Sequence, residues 1–394
     1  MSQSRVIGAI LLIVGTSIGG GMLALPVATA EVGFGNSIFY LMLCWMIMTA
    51  GALLVLEVNM RLPAGSNMIS MAKSTLGLPG QIIAWLTYLF LLYTLLAAYI
   101  SGGSDVLNGI LHNIHINLPE TATALVFTCL FSFIVYKGIQ SVDYVNRGLM
   151  FFKLGVYVLL VLIISPHIEI HRLGGGTASA ISGTLMILIT SFGFASIVPS
   201  LRDYLQSDLP TLRRVIVLGS LVPLVCYLLW DAAIMGSIQA DGDLGLKALA
   251  NSNHATSGLS TSLSQAVHSN WISGFFGMFT SVCMVTAFLG VSLGLFDFLA
   301  DGLKLKKQGN QGRLALALTF LPPLIVVLLS PGIYLSALSY AGICCVVLLL
   351  LLPAIMAWRG RTLDMDQANP LLPGGRLSLA VLILAACLIL YIAL

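Results

Sequence analysis

Gly15-Thr16-Ser17-Ile18-Gly19-Gly20-Gly21 interrupts the first apolar run, residues 6–30, with small residues where a membrane helix calls for Leu and Val. Glycine costs a helix about 1 kcal/mol relative to alanine, and four of these seven positions are glycine. The stretch predicts an unwound segment within a membrane helix. Backbone groups freed at membrane depth are tolerated only where protein or a water-filled cavity satisfies them, and broken-helix transporters set their binding sites at such points. The plainer alternative is a packing seam made by Gly15 and Gly19, four apart. A seam needs one small pair and gives no purpose to Gly20 and Gly21.

Working outward, the composition agrees with a membrane setting. Of 394 residues, 58% are hydrophobic and 8% are charged, against a charged share of about 25% in soluble domains. The chain reads as an all-α polytopic membrane protein. Taking about 20 residues per span, apolar runs fall near 6–30, 36–60, 81–111, 121–137, 148–165, 180–201, 213–236, 271–300, 313–329, 332–357 and 377–394, which makes eleven. The third and eighth exceed a bilayer's needs and are expected to tilt. With a cytoplasmic N-terminus, only Arg172 and Lys247 of the 18 Lys and Arg fall outside, and an odd span count puts the C-terminus on the outer side. Lys137 and Arg147 count among the inner residues.

The six histidines, His268 among them, lie in or beside the outer loops, and the seven cysteines lie within apolar runs. That leaves no intramembrane histidine relay and no metal-ligand spacing. The basic residues form no stripe, so nucleic acid is not an expected partner. No cofactor is implied. Ala28-Thr29-Ala30 resembles a signal-peptidase site, but the run before it is too long and too glycine-broken for cleavage to be expected. The outer loop 239–270 reads as solvated cover, with part of it as a lid. The inner loop 201–214 reads as ordinary positive-inside sequence.

A second island of small residues, Ser191-Phe192-Gly193-Phe194-Ala195-Ser196-Ile197-Val198-Pro199-Ser200, lies in the sixth run. Pro26 follows Gly21 by five residues and Pro199 follows Gly193 by six, and each proline withdraws a backbone donor. Pro322-Pro323 and Pro353 are expected to kink spans nine and ten. Two breaks five spans apart predict a five-plus-five inverted repeat, about 6–165 and about 180–357, with the helix 377–394 added and 1–394 forming one transmembrane domain. A half-helix starting after the first break presents N–H groups and a positive dipole end to an anion, while freed carbonyls accept from a cation. A zwitterionic amino acid offers both. Its carboxylate is expected near Ile18, Gly19, Gly20 and Gly21 with the Thr16 and Ser17 hydroxyls close by. Its ammonium is expected at the carbonyls of Ser191, Phe192 and Gly193.

Residues 15–26, 190–194 and Pro199-Ser200, together with Phe288-Leu289-Gly290-Val291-Ser292-Leu293-Gly294-Leu295-Phe296-Asp297 and Thr319-Phe320-Leu321-Pro322-Pro323, resemble the bacterial hydroxy and aromatic amino acid permease family. Its tyrosine-specific members are the nearest match. The resemblance spans essentially the whole chain. It implies the amino acid/polyamine/organocation superfamily with its LeuT-like fold, eleven transmembrane helices with helices 1 and 6 discontinuous, and an inner-membrane location. It also implies proton-coupled uptake of tyrosine or a related aromatic amino acid. Many members carry His-Gly where this chain has Ala195-Ser196, which puts tyrosine against tryptophan or phenylalanine in question. A sodium-coupled or exchanging permease for another amino acid, and an amino acid sensor that does not transport, are the alternatives.

Charged residues within spans are functional candidates. The resemblance places Lys153 where sodium-coupled relatives hold sodium, making it the first candidate for proton coupling. Glu57 is the second, with pairing to Arg61 one turn on as its structural alternative. Asp231, deep in span seven, suits capping or lining of the outer path. Asp105 lies in the outer third of span three, and Asp297 and Asp301 read as surface partners of Lys304. Tyr93, Tyr99, Phe192, Phe194, Phe288 and Tyr340 are the aromatic pocket candidates, with Phe194 as outer gate. Thr94, Ser196, Thr286 and Ser339 are the hydroxyl candidates. Polarity confined to mid-span islands argues against a channel, and no catalytic constellation points to an enzyme.

Overall fold

A computed structural model describes residues 3–113, 115–136, 139–267, 270–362 and 370–393. Lys137 and His268 lie outside the described residues, as does the side chain of Arg147. No strand occurs among the described residues, and the apolar runs are helical. Among the described residues nine helices are long and apolar enough to cross a membrane, and the bent pair Gln3–Ser17 (α1) and Gly20–Ala28 (α2) makes ten. They are Phe34–Met60 (α3), Met68–Asn113 (α4), Ile139–Ile164 (α6), Leu209–Ser237 (α9), Asn270–Gly302 (α12), Gly309–Leu329 (α13), Gly375–Ala393 (α16) and two interrupted spans. The interrupted spans are Ile181–Ser191 (α7) with Val198–Tyr204 (α8), and Tyr334–Cys345 (α14) with Leu352–Thr362 (α15). The fourth apolar run forms Glu120–Tyr136 (α5), an apolar helix of 17 residues. Phe39, Phe90, Phe151, Leu162, Leu329 and Leu384 lie more than half exposed, an outward apolar surface of the kind a bilayer covers.

The first break is narrower than its glycine run. α1 continues through Gly15 to Ser17, α2 resumes at Gly20, and the two axes differ by 52°. Only Ile18 and Gly19 lie between them. Pro26 sits inside α2, one and a half turns from its start. In the sixth span α7 stops at Ser191, residues Gly193–Ile197 form a tighter 3₁₀ turn, and α8 begins with Pro199 in its first turn. Proline suits that place because first-turn N–H groups have no intrahelical acceptor.

Proline acts differently elsewhere. Pro322 and Pro323 lie within an uninterrupted α13, so the expected kink takes no form of a break there. Ahead of Pro353 the chain widens into a π-helical stretch, Val346–Leu351. α4 begins thirteen residues before the third apolar run and turns at Gly77, whose φ of 73° is the left-handed region that glycine enters freely.

The core is built by packing α1 and α3 against α9, α2 against α7, α12 against α4 and α6, and α14 against α4 and α7. The outer loop is folded instead of merely solvated. It forms Leu246–Ala250 (α10), packed on α2, and Ala255–Ala266 (α11), packed on α12 and α4. Asp105 of α4 caps α11 from another helix, accepting from Thr256 N at 3.0 Å, Ser257 N at 2.8 Å and Ser257 Oγ at 2.6 Å. At the other end of the bundle, Arg202 of α8 donates to Asn59 O, to Asn59 Oδ1 at 3.2 Å and to Leu62 O at 3.0 Å, closing the C-terminal end of α3 and the turn after it. The inner-loop arginine thus pairs internally.

Candidate functional site

The two breaks face each other, and one side chain spans them. Tyr227 of α9 is fully buried, and its hydroxyl lies 2.7 Å from Ser17 O and 2.8 Å from Ser191 O. Its single proton is shared between the last carbonyls of α1 and α7. The Phe192 ring meets Tyr227 edge-on, with centroids 5.2 Å apart. Two more side chains close the first break. Lys153 of α6 is 2% exposed and donates from Nζ to Ile18 O at 2.5 Å. Tyr334 of α14 donates to Gly20 O. The Ser17 and Ile18 carbonyls at the first break thereby gain donors from two other helices, which helps a broken helix survive at membrane depth.

Donors face the same place. The first turn of a helix leaves N–H groups without intrahelical acceptors, and Met22 N closes onto Gly19 O at 3.2 Å, which leaves those of Gly20 and Gly21 at the mouth of α2. Ser17 is 5% exposed, and its Oγ has no hydrogen-bond partner among the described residues. Ile18, Phe192 and Phe194, the large side chains carried on the two breaks, are 0–1% exposed and packed in this conformation. The structure therefore brings together Ser17, Gly19, Gly20, Gly21, Ser191, Phe192, Gly193, Phe194 and Lys153 in one region.

Other candidates lie apart from the breaks, or sit beside one with the hydroxyl turned back onto its own segment, as Thr16 and Ser196 do. Thr16 is exposed, and its hydroxyl returns to Leu12 O and Ile13 O of its own helix at 3.0 and 2.9 Å. Thr94 and Thr286 likewise bond carbonyls one turn back. Tyr93 reaches Leu318 O at 2.7 Å and ties α4 to α13. Phe288 packs with Phe127, Phe131 and Phe320 where α5, α12 and α13 meet. Tyr340 is 58% exposed, and Ser339 is half-buried beside it. Ser196 closes a turn onto Gly193 O at 3.3 Å.

Of the tyrosines singled out from the sequence, Tyr99 is the one at the first break, its ring lying where a side chain on Gly20 would go. Sequence reasoning passed over Tyr227 and Tyr334 altogether. Their signal was a phenol hydroxyl in an apolar run, which needs a partner when buried, but no spacing says which carbonyl it meets.

Glu57 sits far from this arrangement in partners and in chemistry. It is fully buried, and Arg361 grips it twice, Nε to Oε1 and Nη2 to Oε2, both at 2.8 Å. Arg61 reaches Oε1 at 2.9 Å and Leu371 N reaches Oε2 at 3.0 Å. The pairing with Arg61 is present, and Arg361 extends it to a second helix. Asp297 and Asp301 pair with Lys307, at 2.7 and 3.5 Å, instead of Lys304; those bonds raise the Lys307 pKa. On the outer side His254 lies 3.1 Å from Asp105 Oδ1 and 3.4 Å from Glu120 Oε1. The hydrogen bond that the His254 ring donates to Asp105 raises the His254 pKa above its ordinary value, with the two carboxylate charges adding to it against partial burial.

Comparison with known proteins extends over the same residues. The family model described as the tryptophan/tyrosine permease family matches residues 2–393. The tyrosine-specific transport system 1 of Haemophilus influenzae is 32% identical over 397 residues, covering 98% of this chain and 96% of that protein. The tryptophan-specific transport protein of Pseudomonas aeruginosa is 32% identical over 370 residues, covering 91% of this chain and 87% of that one. Glutamine transporter 2 of Aliivibrio fischeri is 29% identical over 399 residues, covering 98% of each.

Proposed function

The chain belongs to the tryptophan/tyrosine permease family, and on that footing we propose that it imports tyrosine across the bacterial inner membrane as a proton-coupled secondary transporter working by alternating access. The observation that carries this reading is the Tyr227 hydroxyl between Ser17 O and Ser191 O, which joins two interrupted helices at one point. A transporter of this kind binds where its broken helices meet. We further read the chain as two five-helix repeats, about 6–165 and 180–357, followed by the helix 377–394, with an inner N-terminus and an outer C-terminus.

The substrate carboxylate is assigned to the N–H groups of Gly20 and Gly21 with Ser17 Oγ, at the positive end of α2. The ammonium is assigned to the carbonyl face of Ser191, Phe192 and Gly193, and the aromatic ring to the space that Phe192 and Phe194 fill here. Movement of either half-helix opens that space, because the breaks separate α2 from α1 and α8 from α7. Lys153 is assigned to coupling. Its ammonium holds Ile18 O as a bound cation would, and transfer of its proton weakens the grip on the first break. Glu57, held by Arg61 and Arg361, is assigned to a clasp between helices.

The test is uptake of labelled tyrosine into proteoliposomes under an inward proton gradient, a sodium gradient or neither. Tryptophan, phenylalanine and glutamine serve as competitors, the last because a relative of similar identity is named for it. Proton-driven uptake blocked by aromatics is expected. Uptake driven by sodium alone, or blocked best by glutamine, overturns the ion or the substrate. In the same assay Lys153→Ala is expected to abolish accumulation while tyrosine binding stays measurable by its thermal shift, and accumulation at the unaltered level removes Lys153 from coupling.

A further inference from the structure

Asp231 is a carboxyl group for which the arrangement above has no use. It lies in α9 with 0% exposure, and neither carboxyl oxygen has a hydrogen-bond partner among the described residues. An ionised carboxylate in such a place lacks both solvation and counter-charge, a cost far beyond that of an unpaired neutral group. Its position is defined by its neighbours on the same helical face. One turn before it Tyr227 touches both breaks, and one turn after it the Met235 sulfur accepts from Thr29 Oγ1 at 3.6 Å, where Thr29 ends α2. Side chains in a helix lean toward its N-terminus, so the carboxyl leans from the level of α2 toward the breaks.

Among the described side chains, the elements packed on α9 provide no free cation for it. α2 and α11 carry no titratable side chain, and the one charged residue of α1 is Arg5, at its start. In α3 the charged group is Glu57, taken by Arg61 and Arg361. Facing groups on α6 are Tyr157, which donates to Cys226 O of α9 at 2.9 Å, and Lys153, which is held by Ile18 O. In the segment 165–173, Arg172 donates to Ser237 O and to Glu169, while Glu169 also lies 3.4 Å from His171. His167 precedes them in the same segment.

We propose that Asp231 is a second proton-binding site of the transport cycle, filled when helix movement admits water and sealed with its proton bound in the conformation seen here. The physical route is short. Tyr227, one turn away, is bonded to the ends of α1 and α7, so any displacement of either half-helix disturbs the packing that excludes water from Asp231. The proposal rests on the transporter reading, and the two fail differently.

The experiment compares the wild type with Asp231→Asn and Asp231→Glu in proteoliposomes. Asparagine mimics the protonated acid and cannot release a proton. Asp231→Asn is expected to lower proton-driven tyrosine accumulation about tenfold or more. It is also expected to retain counterflow, the partial reaction that exchanges substrate without net proton release, and to weaken the pH dependence of that counterflow, leaving the part that belongs to Lys153. Asp231→Glu, which keeps a titrating group, is expected to accumulate tyrosine with a displaced pH profile.

Accumulation by Asp231→Asn at the wild-type level overturns the proposal. So does loss of counterflow in a monodisperse Asp231→Asn protein, which makes Asp231 a ligand of the substrate. Should asparagine prevent folding, the glutamate variant decides alone, and an unmoved pH profile overturns the proposal. Wild-type protein that exchanges tyrosine but never concentrates it under a proton gradient refutes the coupled transporter itself, and Asp231 with it.

Discussion

At the residue scale, the glycine run divides into positions with different duties. Gly20 is held by contact: an added Cβ would lie 2.5 Å from Tyr99 Cε1 and 2.8 Å from Cδ1, against a buried ring with nowhere to retreat. Gly19 has room, since its Cβ would meet only Ala287 Cβ, at 3.6 Å, and its φ of −160° is ordinary extended backbone. Gly20→Ala is therefore expected to lower stability by about 1–3 kcal/mol through overpacking, and Gly19→Ala by clearly less. Thermal midpoints in detergent compare the two, and equal losses would remove the Tyr99 contact as the cause. The sequence announced that this stretch was special through its glycine density. It could not say that Tyr99, some eighty positions on, is what makes Gly20 obligatory.

Among the elements, α11 is the part whose anchoring depends on pH. Asp105 caps it and His254 joins Asp105 to Glu120 at the start of α5. The folded His254 has a raised pKa, so its contribution is complete below the ordinary histidine value of about 6.5 and is lost as pH rises through the raised folded value. His254→Gln is expected to lower the melting temperature most near pH 6, with the difference from wild type shrinking toward pH 8.5. A difference that is flat or grows with pH contradicts the assignment. The effect is small because the side chain is half exposed. Loop 239–270 read as cover from its Asn, Ser, Thr and Gly content. Its two short helices escaped notice because their stability comes from a cap and a packing surface on other helices, and local propensity carries neither.

Over the whole molecule, Glu57 ties the early chain to the late one, joining α3 to Arg361 of α15 and to the Leu371 amide that precedes α16. Glu57→Gln leaves two arginines without their anion in a buried setting and is expected to cost roughly 3 kcal/mol, read as a lower thermal midpoint and faster proteolysis around residues 359–375. An unchanged midpoint would mean that the clasp is replaceable. The linear chain revealed only half of this clasp, the Arg61 partner one turn away. What the sequence determined alone was whatever follows from local composition: helices where apolar runs are long, breaks where glycine and small residues collect, and a membrane setting from the scarcity of charge. Its ordered motifs also carried the family. The tertiary structure alone decided that Lys153 meets Ile18 O, that Tyr227 joins both breaks, and that Asp231 has no hydrogen-bond partner among the described residues. Periodicity fixes a residue's neighbours on its own helix. A hydrogen bond between helices 135 or 210 positions apart depends on how whole helices pack, and that arrangement is a property of the assembled core.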